Sequence, residues 1–290
     1  MPAILFPALF RLLARLPLRV VHRLGGAVGR LVYWLSPTYR RHLDDNLALA
    51  YPQGRPRGIV AEVARSAGRM MFEIPRLWLR EQNEALACVT EVRGWANIEA
   101  AWARGDGIVL LTPHIGCFEI IPLYFGSRAP MTFMFRPPKQ VWLQDIVKKG
   151  RIRPNLSPVP ADTSGVRLLM RALKRGETVG ILPDQVPGGG QGSWSPLFGK
   201  PAYTMTLAAR LSEMKRVSLL LAFGERLPDG AGYVVHFLPP AVALEGGLQQ
   251  RVDAINRSLE ALILQYPAQF LWGYNRYKTP AGIDASGEPA

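Results

Sequence analysis

Gly107-Ile108-Val109-Leu110-Leu111-Thr112-Pro113-His114-Ile115-Gly116-Cys117-Phe118-Glu119 is the stretch on which the fold turns. A short, unbroken apolar run with no polar alternation predicts a strand buried on both faces, as in a parallel sheet covered by helices. The run ends in a histidine poised before a predicted helix, and carboxyl ends of strands in open α/β sheets are where ligand sites form. Working outward, similar short runs occur at Val89–Val92, Met131–Phe135, Thr178–Leu182, Val217–Phe223 and Tyr233–Phe237. Helical periodicity separates them at Ala96–Arg104, Phe118–Phe125, Trp142–Lys149, Val166–Lys174 and Tyr203–Glu213, and Leu248–Tyr266 follows. The alternation predicts βαβ units, hence an α/β fold with a mixed, mostly parallel sheet flanked by helices.

Upstream of this alternation the chain reads as helical. Two segments between Thr38 and Asn83 flank a turn at Tyr51–Pro56, and Ile59, Val63, Ala67, Met70, Met71 and Ile74 recur at three- and four-residue steps. Residues 1–36 are mostly apolar but carry Arg11, Arg15, Arg19, Arg23 and Arg30. A spanning helix needs about 20 uninterrupted apolar residues, and the arginines also spoil a signal-peptide reading. On a helical wheel the arginines fall within about 120°, with Leu12, Leu13, Leu16, Val20 and Val21 mainly outside that sector. This is the pattern of an amphipathic helix lying in a membrane interface, and Phe6, Phe10, Tyr33 and Trp34 near its ends suit the same place. The bland alternative is an amphipathic helix packed on the domain. Pro7 and Pro17 are expected to break or kink the segment. The predicted organisation is an interfacial segment over 1–36, an α/β domain over 37–278 and a flexible tail over 279–290.

The 290 residues carry 35 Lys and Arg against 22 Asp and Glu, a net charge of +13. Such an excess favours polyanionic partners: nucleic acid, an anionic lipid surface or an acidic carrier protein. No helix-turn-helix, zinc or RNP pattern supports nucleic acid, and the arginines sit among membrane-like apolar residues. Cys88 and Cys117 are too few for a disulfide framework. No Cys/His set has zinc-site spacing, so no metal or other cofactor is expected.

His114 is suited to take a proton from an attacking hydroxyl near neutral pH. Glu119, one helical turn on, is expected to accept a hydrogen bond from the other ring nitrogen, fixing the tautomer. Gly116 would let a substrate approach the backbone closely. Asp184 ends a predicted strand just as His114 does, and so is expected near the site as an orienting or substrate-binding group. A thiol enzyme using Cys117 with His114 is the rival chemistry. Taken alone, a His-x-x-x-x-Glu spacing also arises by chance, as a capping histidine and a surface glutamate.

The ordered company of this motif resembles one family. His114-Ile-Gly-Cys-Phe-Glu119 is followed by Phe135-Arg136-Pro137-Pro138, Gly150-Arg151-Ile-Arg153-Pro-Asn155, Gly180-Ile-Leu-Pro-Asp184-Gln185 and Leu197-Phe198-Gly199-Lys200-Pro201-Ala202. Asn46-Leu47, Tyr51-Pro52 and Glu73 precede it, and Trp272-Gly-Tyr-Asn-Arg276-Tyr-Lys278 closes the set. Together these resemble the lipid A late acyltransferases, the lauroyl/myristoyl transferase family, within the glycerolipid acyltransferase superfamily. The resemblance spans about residues 10 to 278. Cys117 stands where the family often has an aromatic, Val186-Pro187 where another acidic residue is common, and Asn275 where a second arginine is frequent.

The resemblance implies an acyltransferase with a glycerolipid acyltransferase-like fold and catalytic His114 and Glu119. It implies substrate binding by Arg136, Arg151, Arg153, Asp184 and Gln185, with the arginines able to clamp phosphates. The implied donor is acyl–acyl carrier protein or acyl-coenzyme A. The implied acceptor is a lipid A precursor, a lysophospholipid or an amino-acid-derived lipid. The implied location is the cytoplasmic face of the inner membrane, peripheral or monotopic, on an anionic surface. A catalytically silent member of the same fold is the other reading. The Gly188–Gly192 run lacks the P-loop Lys-Ser/Thr ending and reads as a flap over the site.

Overall fold

A computed structural model describes residues 2–135, 144, 146, 147 and 150–283, with backbone alone for 2–5. Its strands are β1 (Val89–Arg93), β2 (Gly107–Leu111), β3 (Met131–Phe135), β4 (Leu156–Pro160), β5 (Thr178–Ile181), β6 (Gly192–Leu197), β7 (Lys200–Met205), β8 (Val217–Arg226) and β9 (Tyr233–Leu238). The helices before the first strand are α1 (Pro2–Arg15), α2 (Leu18–Leu35), α3 (Pro37–Ala50), α4 (Ile59–Leu79) and α5 (Gln82–Leu86). Interleaved with the strands are α6 (Trp95–Ala103), α7 (Ile120–Gly126), α8 (Thr163–Lys174), α9 (Leu207–Ser212) and α10 (Leu248–Gln265).

Seven strands form one sheet in the order β1-β9-β8-β2-β5-β3-β4. Every neighbouring pair is parallel except β8 with β9. The expected α/β class therefore stands. β2 and β5 lie inside the sheet with every residue buried, which is why their sequences show no polar alternation. Along β2, Val109 and Leu111 join the core on one face while Ile108 and Leu110 join the core on the other. The first core is closed by α3, α8, α9 and α10, the second by α6 and α7, and α4 contributes to both.

Two element readings change. Tyr203-Thr204-Met205 is not helical but pairs with Trp194-Ser193-Gly192 in the β6–β7 hairpin, and α9 starts only at Leu207. The two-residue turn, Phe198-Gly199, has φ of 50° and 74°, the double left-handed geometry that matches strand twist. β4, with two prolines and no clean alternation, has no counterpart in the predicted strands; it lies at the sheet edge, where proline is tolerated. The helix expected over 142–149 falls largely outside the described residues. Of the expected tail, Ile283 is buried against the body, and residues 284–290 lie outside the described ones.

Pro17 separates α1 from α2, whereas Pro7 is carried inside α1 near its start. α2 crosses α4 at backbone contact: a Cβ on Gly29 would meet the Ala64 carbonyl at 2.0 Å, and one on Gly68 the Gly25 carbonyl at 1.9 Å. Leu13, Leu18 and Val21 are buried in this packing. Leu9, Leu12, Val20, Leu24, Val28, Leu31 and Leu35 face outward, with all five arginines exposed among them. The segment thus both packs on the domain and presents an apolar, basic outer surface. No helix among the described residues is long and apolar enough to cross a membrane.

Candidate active site

Leu111 and Ile181 are partners in neighbouring parallel strands. Each strand leaves through the same kind of tripeptide, Thr112-Pro113-His114 and Leu182-Pro183-Asp184, so register brings His114 and Asp184 together at the carboxyl edge of the sheet. Asp184 holds His114 twice. Its Oδ2 accepts the His114 backbone N–H at 2.9 Å, and its Oδ1 lies 2.9 Å from Nδ1. With the Nδ1 proton directed at a carboxylate, Nε2 is the acceptor, and the Gln185 side-chain nitrogen stands 3.3 Å from it. Burial pushes the imidazole pKa down, but the Asp184 charge and hydrogen bond outweigh it, leaving His114 above its ordinary value. Burial pushes Asp184 up, yet the imidazole and the two hydrogen bonds hold it below the usual carboxylate range.

The carboxylate on Nδ1 is therefore Asp184, where the motif spacing pointed to Glu119. The cause is local backbone: no helix runs from His114 to Glu119. Ile115 bridges Phe270, Gly116 bridges Gly224, and α7 begins only at Ile120. Gly116 adopts φ 57°, and a Cβ there would lie 2.0 Å from the Gly224 carbonyl. The close approach that requires glycine is thus to the protein's own β8.

Glu119 turns instead toward α4. One oxygen pairs with Arg151 Nη2, and the other accepts the Trp78 indole N–H at 3.1 Å. The Arg151 guanidinium lies 5.5, 5.8 and 5.4 Å from the ring centres of Trp78, Phe133 and Phe135. Aromatic faces favour a cation there. Arg153, expected to clamp phosphate, donates to the Trp78 and Arg80 carbonyls at 3.1 and 2.6 Å and so fastens the end of α4. Arg136 lies outside the described residues.

Two separate cavities adjoin the His114–Glu119 turn. One, of about 500 Å³ counted to its open mouth, is lined mainly by Trp78, Phe118, Leu123, Met131, Phe133 and Leu156, with Glu119 and Arg151 in its wall. The other, of about 340 Å³ including the open space at its mouth, is lined by His114, Asp184, Gln185, Asn46 and Arg276 among aromatic side chains. A histidine paired with a carboxylate in one cavity, and a half-buried cation in the wall of an adjoining apolar cleft, suit acyl chemistry on a chain-bearing substrate. The sequence profile of the bacterial lipid A biosynthesis acyltransferases matches residues 3–279. The chain belongs to that family.

Among similar proteins, a lipid A biosynthesis lauroyltransferase of Escherichia coli is 30% identical over 94% of this chain and 90% of its own. A palmitoleoyltransferase of lipid A biosynthesis from the same species is 26% identical over 92% and 88%. A lipid A biosynthesis acyltransferase of Haemophilus influenzae is 25% identical over 94% and 88%. As a member of this family the chain is an acyltransferase of lipid A biosynthesis, and several of its motif residues now have places. Asn46 donates to the Trp272 and Tyr274 carbonyls at 2.6 and 2.8 Å, strapping the C-terminal block beside the second cavity. Arg276 donates to the Tyr203 carbonyl and Thr204 Oγ1 at 2.8 and 2.7 Å, tying that block to the β6–β7 hairpin.

Glu73 sits deep under the turn, fully buried. It receives Arg226 through two hydrogen bonds of 3.0 and 2.8 Å and Tyr233 OH at 3.0 Å, and His22 of α2 lies 3.1 Å away. Burial pushes its pKa up, but Arg226 and His22 outweigh it and hold Glu73 at about 2. Cys117 is buried beside this cluster, where burial and Glu73 raise its thiol pKa well above the ordinary value. A thiol held protonated in the core lacks the thiolate that the rival chemistry requires. Sequence reasoning gave no site role to Trp78, or to Phe198 of the Leu197–Ala202 block, whose rings line the two cavities. The signal for Phe198 was the Phe-Gly turn; Trp78 gave none beyond its place on a helix.

Proposed function

We propose that this acyltransferase moves a fatty acyl group from an acyl–acyl carrier protein thioester to a hydroxyl of a lipid A precursor, with His114 as general base. The observation that carries the reading is the His114–Asp184 pair standing beside an apolar cleft with Arg151 in its wall. Nε2 takes the hydroxyl proton as the oxygen attacks the thioester carbonyl. The oxyanion that forms is stabilised by the Arg151 charge, which Glu119 holds in the cleft. The C–S bond then breaks and the departing thiolate takes the proton from His114, so no external cofactor enters the balance. Asp184 keeps the proton on Nδ1 and stabilises the imidazolium between the two steps. Glu119 acts here through Arg151, a different task from the one its spacing implied. The acyl chain lies in the apolar cleft, and the names of the two Escherichia coli relatives point to lauroyl- or palmitoleoyl-sized groups.

The enzyme works at a membrane surface, on the cytoplasmic face of the inner membrane, where the outward apolar side chains of α1 and α2 enter the interface and their arginines meet anionic headgroups. The basic surface also suits an acidic carrier protein.

Detergent-solubilised protein is incubated with labelled acyl–acyl carrier protein or acyl-coenzyme A and a panel of lipid A precursor, lysophospholipids and an acylated amino acid. The carrier-protein donor and the lipid A precursor are expected to give product. His114→Ala is expected to lose about 100- to 10,000-fold in rate, while Cys117→Ala keeps its activity. Undiminished transfer by His114→Ala overturns the mechanism.

A further inference from the structure

The Glu119–Arg151 pair borders the apolar cleft, but an ion pair joined through a single hydrogen bond is poorly fixed. A carboxylate's terminal torsion is soft, so one contact leaves its plane free to swing and the arginine free to follow. Glu119 is 6% exposed, so little water reaches its carboxylate and its second oxygen relies mainly on a protein donor. That oxygen is met by the Trp78 indole N–H at 3.1 Å. The same indole forms one of the aromatic walls around the guanidinium, 5.5 Å from ring centre to guanidinium carbon. One side chain thus contacts both members of the pair.

Trp78 is itself held from several directions. Arg153 donates to its carbonyl at 3.1 Å. Gly150 packs so close that a Cβ there would lie 2.5 Å from the Trp78 Cβ and Cγ. The Phe10 ring of α1 lies 6.3 Å from the indole, tilted by 43°. A side chain locked in this way is a rigid support, the condition for holding a reacting group to within a fraction of an ångström.

We propose that Trp78 is a positioning residue for acyl transfer, fixing the plane of the Glu119 carboxylate and, through it, the place of Arg151 at the cleft. The proposal rests on the reading that Glu119 and Arg151 serve the transfer step. Because the N–H acts through Glu119, its removal lowers the rate of the chemical step and leaves the binding of both substrates nearly unchanged.

The test is steady-state acyl transfer by Trp78→Phe, Glu119→Gln and the double variant, all detergent-solubilised. Phenylalanine keeps an aromatic face toward Arg151 but deletes the N–H. Trp78→Phe is expected to lower kcat about 10- to 100-fold, and 3-benzothienylalanine at position 78, which keeps the bicyclic ring that lines the cleft, is expected to lower kcat by the same factor with KM changed less than about threefold. In the Glu119→Gln background either substitution is expected to change kcat less than about twofold. If Trp78→Phe fails to fold, the benzothienyl variant, with sulfur in place of the indole N–H and the same shape, carries the test alone. Wild-type kcat in the position-78 variant, beside a crippled Glu119→Gln, overturns this proposal alone. So does an equal loss in both backgrounds, which is the mark of a purely structural tryptophan. Full activity in Glu119→Gln overturns the role of Glu119 and this proposal with it.

Discussion

His114 differs from an ordinary histidine because a buried carboxylate faces one ring nitrogen and leaves the other as a directed acceptor. The sign of its pH dependence follows. As a general base it must be neutral, so kcat/KM falls as pH drops through a pKa raised above 6.5 by Asp184. Asp184→Asn removes the raising charge and is expected to shift that acid limb to lower pH. Its side-chain amide can also donate to Nδ1 and place the proton on Nε2, so a rate loss of about 100-fold or more is expected alongside the shift. A pH–rate profile of the two proteins checks both. His114 was legible because it ends an apolar strand. Asp184 was legible as a neighbour for the same reason, yet its pairing was not: equal offsets from two strand ends carry meaning only once those strands are known to be adjacent and in register. The spacing to Glu119 misled because it assumed a helix, and the backbone between is instead bridged to β8 and to Phe270.

At the level of elements, α4 is the member that joins the N-terminal helices to the sheet. Its glycine face admits α2 at backbone distance, and its Glu73 reaches Arg226 at the end of β8 and His22 on α2. Breaking a buried ion pair by removing one charge leaves the other uncompensated, so Glu73→Gln is expected to destabilise the fold by about 3–5 kcal/mol in denaturant unfolding. The pH dependence has a definite direction. With a folded pKa near 2 against an ordinary 4.5, Glu73 contributes stability in full above 4.5 and loses it as pH falls from there through 2. The variant's stability is therefore expected to vary less over that acid range than the wild type's. Strands marked by a short, mostly apolar run were readable, β2 and β3 to the residue. The hairpin was not, because Tyr203 to Met205 lead directly into α9 and the apolar period of the helix absorbs them. β4 was missed because its two prolines hide an edge strand whose pairing with β3 is set by the sheet, not by its own sequence.

At the scale of the molecule, most of the exposed large apolar side chains among the described residues lie on the outer surface of α1 and α2. Leu24 and Leu31 are 44% and 54% exposed, so charging them costs the folded core little. Leu24→Glu with Leu31→Glu is expected to leave thermal unfolding nearly unchanged while weakening binding to phosphatidylglycerol vesicles about tenfold or more in a flotation assay. The first 36 residues were legible as amphipathic, but how their apolar side is divided was not: a helical wheel shows that side without showing that α4 covers part of it. The two cavities beside the His114–Glu119 turn have a larger consequence for how the enzyme operates. On the proposed reading chain and acceptor have separate rooms, and both can be occupied before any bond changes. The acyl group then passes directly from one guest to the other, and the protein never has to carry it as an ester of its own. An enzyme built this way has no waiting intermediate for stray water to cleave, so an activated fatty acid is committed only once its acceptor has arrived.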